Sequence, residues 1–152
     1  MRYLFVDRII QLESGSRIVA EKLVSQAELR GGRLRAGALL ETMAQAAGWL
    51  AKEHHSFLRL PLLAKVPELE IERAPRAGER LRIEARVEAQ RSDCFSMSVA
   101  VSSEAGAIAR ARLLLYVLPA PIDRSAELSE QSRELFRSLT QAASRRVLSV
   151  RA

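Results

Sequence analysis

Two residues carry most of the chemical content of this chain: Glu41 and Gln45, inside the stretch Gly37–Gly48, GALLETMAQAAG. They stand four apart, which on a helix puts them one turn from each other on the same face. A carboxylate set among small and oily residues is either neutralised by a partner or placed there for chemistry, and the chemistry open to it is general acid–base or nucleophilic work. The plain alternatives are a Glu41 bonded to Gln45 or to backbone, and a Gln45 that makes only a structural hydrogen bond. Arg33 and Arg35 lie just ahead, in RGGRLR, as anion ligands or as solvated loop charges. The lone cysteine, Cys94, sits in the strand-like run CFSMSVAV and reads as a packing residue; a single cysteine cannot make an internal disulfide. His54 and His55 are adjacent and lack metal-ligand spacing, so no metal is expected. Trp49 reads as a packing anchor at the end of the same helix.

These residues need a scaffold, and 152 residues that are 48% hydrophobic and 28% charged suffice for one globular core. The net charge of +6 comes mostly from arginine and suits an acidic partner. Aromatic residues are only 5% and are not interleaved with the basic ones, which argues against nucleic acid. No run approaches the roughly 20 apolar residues of a membrane span, and the N-terminal residues lack a signal peptide's pattern. A cytoplasmic protein without a transmembrane segment is the expectation.

Residues 3–12 and 17–24 are rich in β-branched and aromatic types and flank the turn signal Glu13–Ser16, predicting a hairpin. A glycine- and arginine-rich loop leads to a helix from about Ala36 to Glu53, apolar around most of its circumference and therefore buried. Residues 62–72 read as an extended segment in which Pro67 implies an edge or a bulge. Residues 80–90 alternate, with Leu81, Ile83, Ala85, Val87 and Ala89 on one face, and residues 94–103 and 107–118 give two further strands. After a connector at Pro119, residues 126–148 form an amphipathic helix behind Ser125, with Leu128, Leu135, Leu139 and Ala142 on one face and Phe136 beside them. The domain division expected is 1–118 for the sheet and central helix, and 119–152 for a connector and a helix packed on that domain or on a partner subunit.

Hairpin, long buried helix, then a meander of about four strands is the element order of the hotdog fold, an α+β architecture in which an antiparallel sheet wraps one central helix. The stretches LFVDRIIQLESGSRIVAEKLVS and ETMAQAAGWLA resemble the 3-hydroxyacyl-(acyl-carrier-protein) dehydratases of fatty-acid synthesis, which carry a V-D-R strand and an E-x-M-A-Q-A-x-G helix in this order. ELEIERAPRAGERLRIEARVEAQR is similar to their following strands, and the likeness runs from about Tyr3 to Leu118. It implies a catalytic carboxylate at Glu41 with Gln45 beside it. It also implies a thioester carbonyl polarised by backbone N–H groups at Ala36, Gly37 and Ala38. The implied substrate is a 3-hydroxyacyl or 2-enoyl thioester whose phosphopantetheine arm belongs to an acidic acyl carrier protein or to coenzyme A, with no resident cofactor. It implies a dimer, in which the family's second catalytic residue, a histidine in a G-H-F-P segment, reaches the pocket from the other subunit.

This chain departs from the pattern there. It reads LRGGRLRAG where the family has G-H-F-P, leaving Gly32 or Arg33 at the histidine position. His54 and His55 lie 13 and 14 residues beyond Glu41, roughly 20 Å along a helix. Three functions follow as expectations. The first is dehydratase chemistry, as a homodimer or as a heterodimer with a related hotdog subunit that supplies the histidine. The second is thioester hydrolysis by Glu41, as in other hotdog proteins. The third is a non-catalytic partner of a histidine-bearing dehydratase, with Arg33 and Arg35 against the carrier's phosphate.

Overall fold

The computed structural model describes residues 5–119 and 125–150, with the side chains of the last helix described from Ala126 to Gln141. The elements run β1 (Arg8–Glu13), β2 (Arg17–Leu23), α1 (Ala36–His54), β3 (Arg59–Ile71), β4 (Arg80–Arg91), β5 (Cys94–Ser103), β6 (Gly106–Pro119) and α2 (Ser125–Val150). All six strands form one antiparallel sheet in the order β1-β2-β4-β5-β6-β3. The sheet wraps α1, and this is the hotdog architecture.

The meander expected over residues 62–118 holds only for β4, β5 and β6. β3 pairs with β6 at the far edge, while β4 takes β2 as its other neighbour. Pro67 supplies the reason. Proline cannot donate to a ladder on either side, so its strand belongs at an edge. The β3–β6 register shifts between Leu63 and Lys65 and again between Lys65 and Glu68, so edge position and irregularity occur together.

The core is built from two periodicities that meet. Leu39, Met43, Ala46, Ala47 and Leu50 of α1 are at most 1% exposed. They face Ile18, Ile83, Phe95, Met97 and Leu113 of the sheet, and each such large side chain contributes about 1.5–3 kcal/mol by leaving water. The alternation of β4 buries Leu81, Ile83 and Ala85. It lapses after Val87, where the β4–β5 register shifts, so Ala89 is exposed rather than inward. The first strand is shorter than its sequence suggests and begins at Arg8, whose guanidinium pairs with Glu21. Cys94 is a half-buried free thiol at the start of β5.

α2 closes the open side of the roll. It lies against β1 at one edge of the sheet and reaches the turn that opens β3 at the other. Leu135 and Phe136 pack on the core, and Leu139 is buried. Ser129 and Ser132 are also buried on this face, which the hydrophobic pattern alone did not mark. Ala142 lies outside the described side chains. No described helix is long and apolar enough to cross a membrane.

Candidate active site

The segment entering α1 is a tight turn rather than an open loop. Gly31 and Gly32 both have positive φ, +61° and +76°, and join Arg30 to Arg33 through N–H···O=C bonds of 3.0 and 3.3 Å. Two successive left-handed residues make the type I′ turn that glycine pairs favour. Leu34 then plugs into the core, and its N–H donates to the Pro75 carbonyl at 3.1 Å. Arg35 is the N-cap, with extended backbone and no side-chain cap. Its carbonyl accepts the first helical bond from Leu39 N–H at 3.1 Å. The N–H groups of Ala36, Gly37 and Ala38 therefore start the helix without a capping side chain, at its partially positive end. Arg33 and Arg35 are exposed, and neither takes part in an ion pair among the described residues.

From this end one face of α1 carries Gly37, Glu41, Ala44, Gln45, Gly48 and Lys52, the helical repeat of three and four. The face from Glu41 onward forms one side of a cavity of about 450 Å³; Pro61, Leu62 and Leu63 of β3, Leu115 of β6 and Leu135 of α2 form the other. Gly48 is the low point of the helix wall: a Cβ there would meet the Pro61 ring at 3.5 Å. Glu41 is exposed in the single chain, and among the described residues its carboxylate has no hydrogen-bond or salt-bridge partner. Gln45 does not neutralise it, because Gln45 Oε1 accepts the Phe5 N–H at 2.9 Å. The amide thus ties the chain ahead of β1 to α1. At the other end of the cavity Lys52 Nζ sits 4.7 Å from the Trp49 ring centroid, and Trp49 meets Phe136 of α2 at 5.9 Å.

His54 and His55 do not line this cavity. They terminate α1 and pack edge-on against Phe95, with centroids 5.6 and 5.8 Å away. His54 Nε2 lies 2.8 Å from Gln90 Nε2. His55 Nε2 is buried without a hydrogen-bond partner, and burial first, then the neighbouring His54 and Arg59, push the His55 pKa down. A histidine at a helix C-terminus usually gains from being cationic; here desolvation outweighs the dipole and favours the neutral ring.

A second concavity, about 540 Å³, lies on the outer face of the sheet over Ser98 and Ala100. Its charges satisfy one another: Arg110 with Glu70 at 2.5 Å, Arg112 with Glu68 at 3.5 Å, Arg86 with Glu84 at 2.6 Å. Arg17 also bonds Glu84, and those bonds hold the Glu84 carboxyl below the usual carboxylate range. This surface is a ladder of cross-strand pairs, whereas the α1 cavity holds a carboxylate that nothing answers. Among the described residues no cluster of His, Cys, Asp or Glu could hold a metal.

Sequence reasoning singled out Glu41, Gln45 and the helix start, and the fold aligns Gly37, Glu41 and Gln45 along one face. It missed Lys52, Pro61, Leu63 and Leu135. Lys52 was open to inference, being 11 residues past Glu41 on the same helical face. The others come from elements whose pairing a linear reading does not give.

The architecture defines the class: a hotdog protein whose central helix presents a carboxylate to a cavity. No family model matches the chain. It is 38% identical over 98 residues to the 3-hydroxyacyl-(acyl-carrier-protein) dehydratase FabZ of Chloroflexus aggregans, a match covering 59% of this chain and 67% of that one. To FabZ of Symbiobacterium thermophilum it is 34% identical over 97 residues, covering 59% and 68%. The chain belongs to the 3-hydroxyacyl-(acyl-carrier-protein) dehydratase family. Among solved structures it is similar to smu.793 of Streptococcus mutans bound to acetyl CoA, with a TM-score of 0.67 and 16% identity, covering 78% of this chain and 94% of that one. The PaaI protein of E. coli superposes with a TM-score of 0.64 at 17% identity, covering 74% and 79%. At these identities the likeness is one of fold.

Proposed function

We propose that this protein is a dehydratase-type subunit that binds 3-hydroxyacyl or 2-enoyl thioesters along α1, with Glu41 toward the 3-hydroxyl. It takes the missing base from a histidine-bearing related subunit. The observation that carries this reading is the unpartnered Glu41 carboxylate in an apolar-walled cavity, one turn beyond an uncapped helix N-terminus. In the reaction a base removes the proton beside the thioester carbonyl, and protonated Glu41 gives its proton to the departing hydroxyl. A 3-hydroxyacyl thioester becomes a 2-enoyl thioester plus water. The N–H groups of Ala36, Gly37 and Ala38 stabilise the enolate oxygen formed on the way. Arg33 and Arg35, flanking that helix start, meet the phosphate of a phosphopantetheine arm or the acidic surface of a carrier protein.

The second site-completing element is a further hotdog chain. β3 has 13 residues and one neighbour, β6, and its Leu62, Leu63, Leu69 and Ile71 are 51%, 39%, 39% and 38% exposed. An unpaired apolar edge of this length invites another strand, and a chain joined there borders the Glu41 cavity through Leu62 and Leu63.

Thioester hydrolysis is the rival reading, favoured by one fact: no histidine of the described residues borders the cavity, and a carboxylate with a helix N-terminus is enough to activate water on a thioester. Assays of the chain alone, and of the chain co-expressed with a histidine-bearing dehydratase of the same fold, separate the two. The expected result is enoyl thioester formation only by the mixed complex, lost about 10²–10⁴-fold in Glu41→Gln. Thiol release by the lone chain from acyl-CoA would establish the hydrolase instead. Dehydration at an ordinary rate by the lone chain would refute the need for a partner histidine.

A further inference from the structure

We infer that Leu135 of α2, beside Trp49 of α1, is the far wall of the cavity and sets the longest acyl chain the site accepts. The inference rests on the proposed binding of an acyl thioester along α1, and it assigns α2 a role in substrate choice.

The cavity is walled along its length by α1 and β3, so a chain entering beside Glu41 runs along the helix toward Lys52. Trp49 is eight residues past Glu41, about 12 Å along the axis. There α2 crosses. Leu135 borders the cavity, and Phe136, next to it, packs in tilted contact with Trp49 at 5.9 Å and with Phe57 at 5.2 Å. The wall is fixed in place by polar bonds to the turn between α1 and β3. Ser129 Oγ donates to the Phe57 carbonyl at 2.8 Å, and an Arg133 guanidinium nitrogen donates to the Ser56 carbonyl at 2.9 Å. That turn is unusual: Ser56 and Phe57 are consecutive non-glycine residues with φ of +52° and +63°. α2 thus clamps a strained connection with two hydrogen bonds and an aromatic pair, the mark of a fixed wall rather than a swinging flap. Leu135 is half-buried, so its tip is available to meet a ligand.

The test uses the full chain and saturated straight-chain acyl-CoA thioesters of increasing length. Trp49, the only tryptophan, reports binding through its fluorescence. Affinity rises about fourfold per buried methylene until the chain meets Leu135, then stops rising. Leu135→Ala moves that plateau to longer chains and Leu135→Phe moves it to shorter ones. Opposite shifts cannot come from a general loss of folding. An unchanged plateau in both variants, with acyl-CoA still bound, overturns the role of Leu135 and leaves thioester binding standing. Absence of saturable binding at every length, both by the chain alone and by its complex with a histidine-bearing dehydratase of the same fold, overturns both.

Discussion

Glu41 differs from Glu28, Glu79 and Glu84 in having no side-chain bond among the described residues. Glu28, Glu79 and Glu84 are bonded to Lys22, Arg73 and Arg17, and each is held below the usual carboxylate range; for Glu79 and Glu84 these bonds are the leading cause, while at Glu28 they outweigh the opposing desolvation. Glu41→Gln should therefore alter turnover while changing stability by no more than about 0.5 kcal/mol, a pairing of results that denaturant titration and enzyme assay can check together. His55 is the reverse case, a residue with a structural load and no catalytic one. Its neutral form is favoured in the fold, so the unfolded chain binds more protons as the pH drops below the ordinary histidine value of about 6.5. Stability present above that value is lost as the pH falls toward the lower folded pKa. Thermal melts at pH 7.5 and 5.5 should show a smaller acid-side loss for His55→Leu than for the parent protein.

At the scale of elements, the entry to α1 shows how few residues position the site. The Gly31–Gly32 turn reverses the chain, Leu34 anchors it, and the helix starts uncapped two residues later. A Cβ at either glycine would meet no atom within 4 Å, so only backbone conformation opposes substitution. Gly31→Ala and Gly32→Ala should each cost about 1–2 kcal/mol, read as a lowered denaturant midpoint with unchanged slope. The opposite end of α1 is held by α2, whose buried Ser129 satisfies a carbonyl in the strained turn. That serine explains a polar residue on the packed face of an amphipathic helix: it is bonded, and a bonded buried hydroxyl costs little.

For the whole molecule, the sheet has one bare edge that matters. β1, at the other edge, is short and lies under α2, whereas β3 is long, apolar and unpaired on one side. The proposed pairing of β3 with another hotdog chain would use this edge and complete the cavity. Leu63→Asp combined with Leu69→Asp places two charges on that edge. It should yield monomers in analytical ultracentrifugation and abolish turnover by the assembled enzyme, with far-UV circular dichroism retained. Wild-type chain sedimenting as a monomer at every concentration, alone and with a histidine-bearing relative, would overturn the association.

The sequence by itself determined the hotdog order of elements, the buried helix with Glu41 and Gln45 one turn apart, and the absence of a histidine ahead of that helix. Those features are local: a hydrophobic period, a spacing of four and a missing residue type can all be read along a line. Even there, the Gln45 side chain turned out to bond Phe5, 40 residues away, because a four-residue spacing brings two groups near each other without dictating which partner each takes. Only the tertiary structure decided that β3 leaves the meander for the far edge, since strand neighbours are chosen by sheet closure and by where a proline can be tolerated. It alone decided that Pro61, Leu63 and Leu135 share a cavity with Glu41. A cavity is the space between elements, and no residue's own neighbours in the chain report what stands across it.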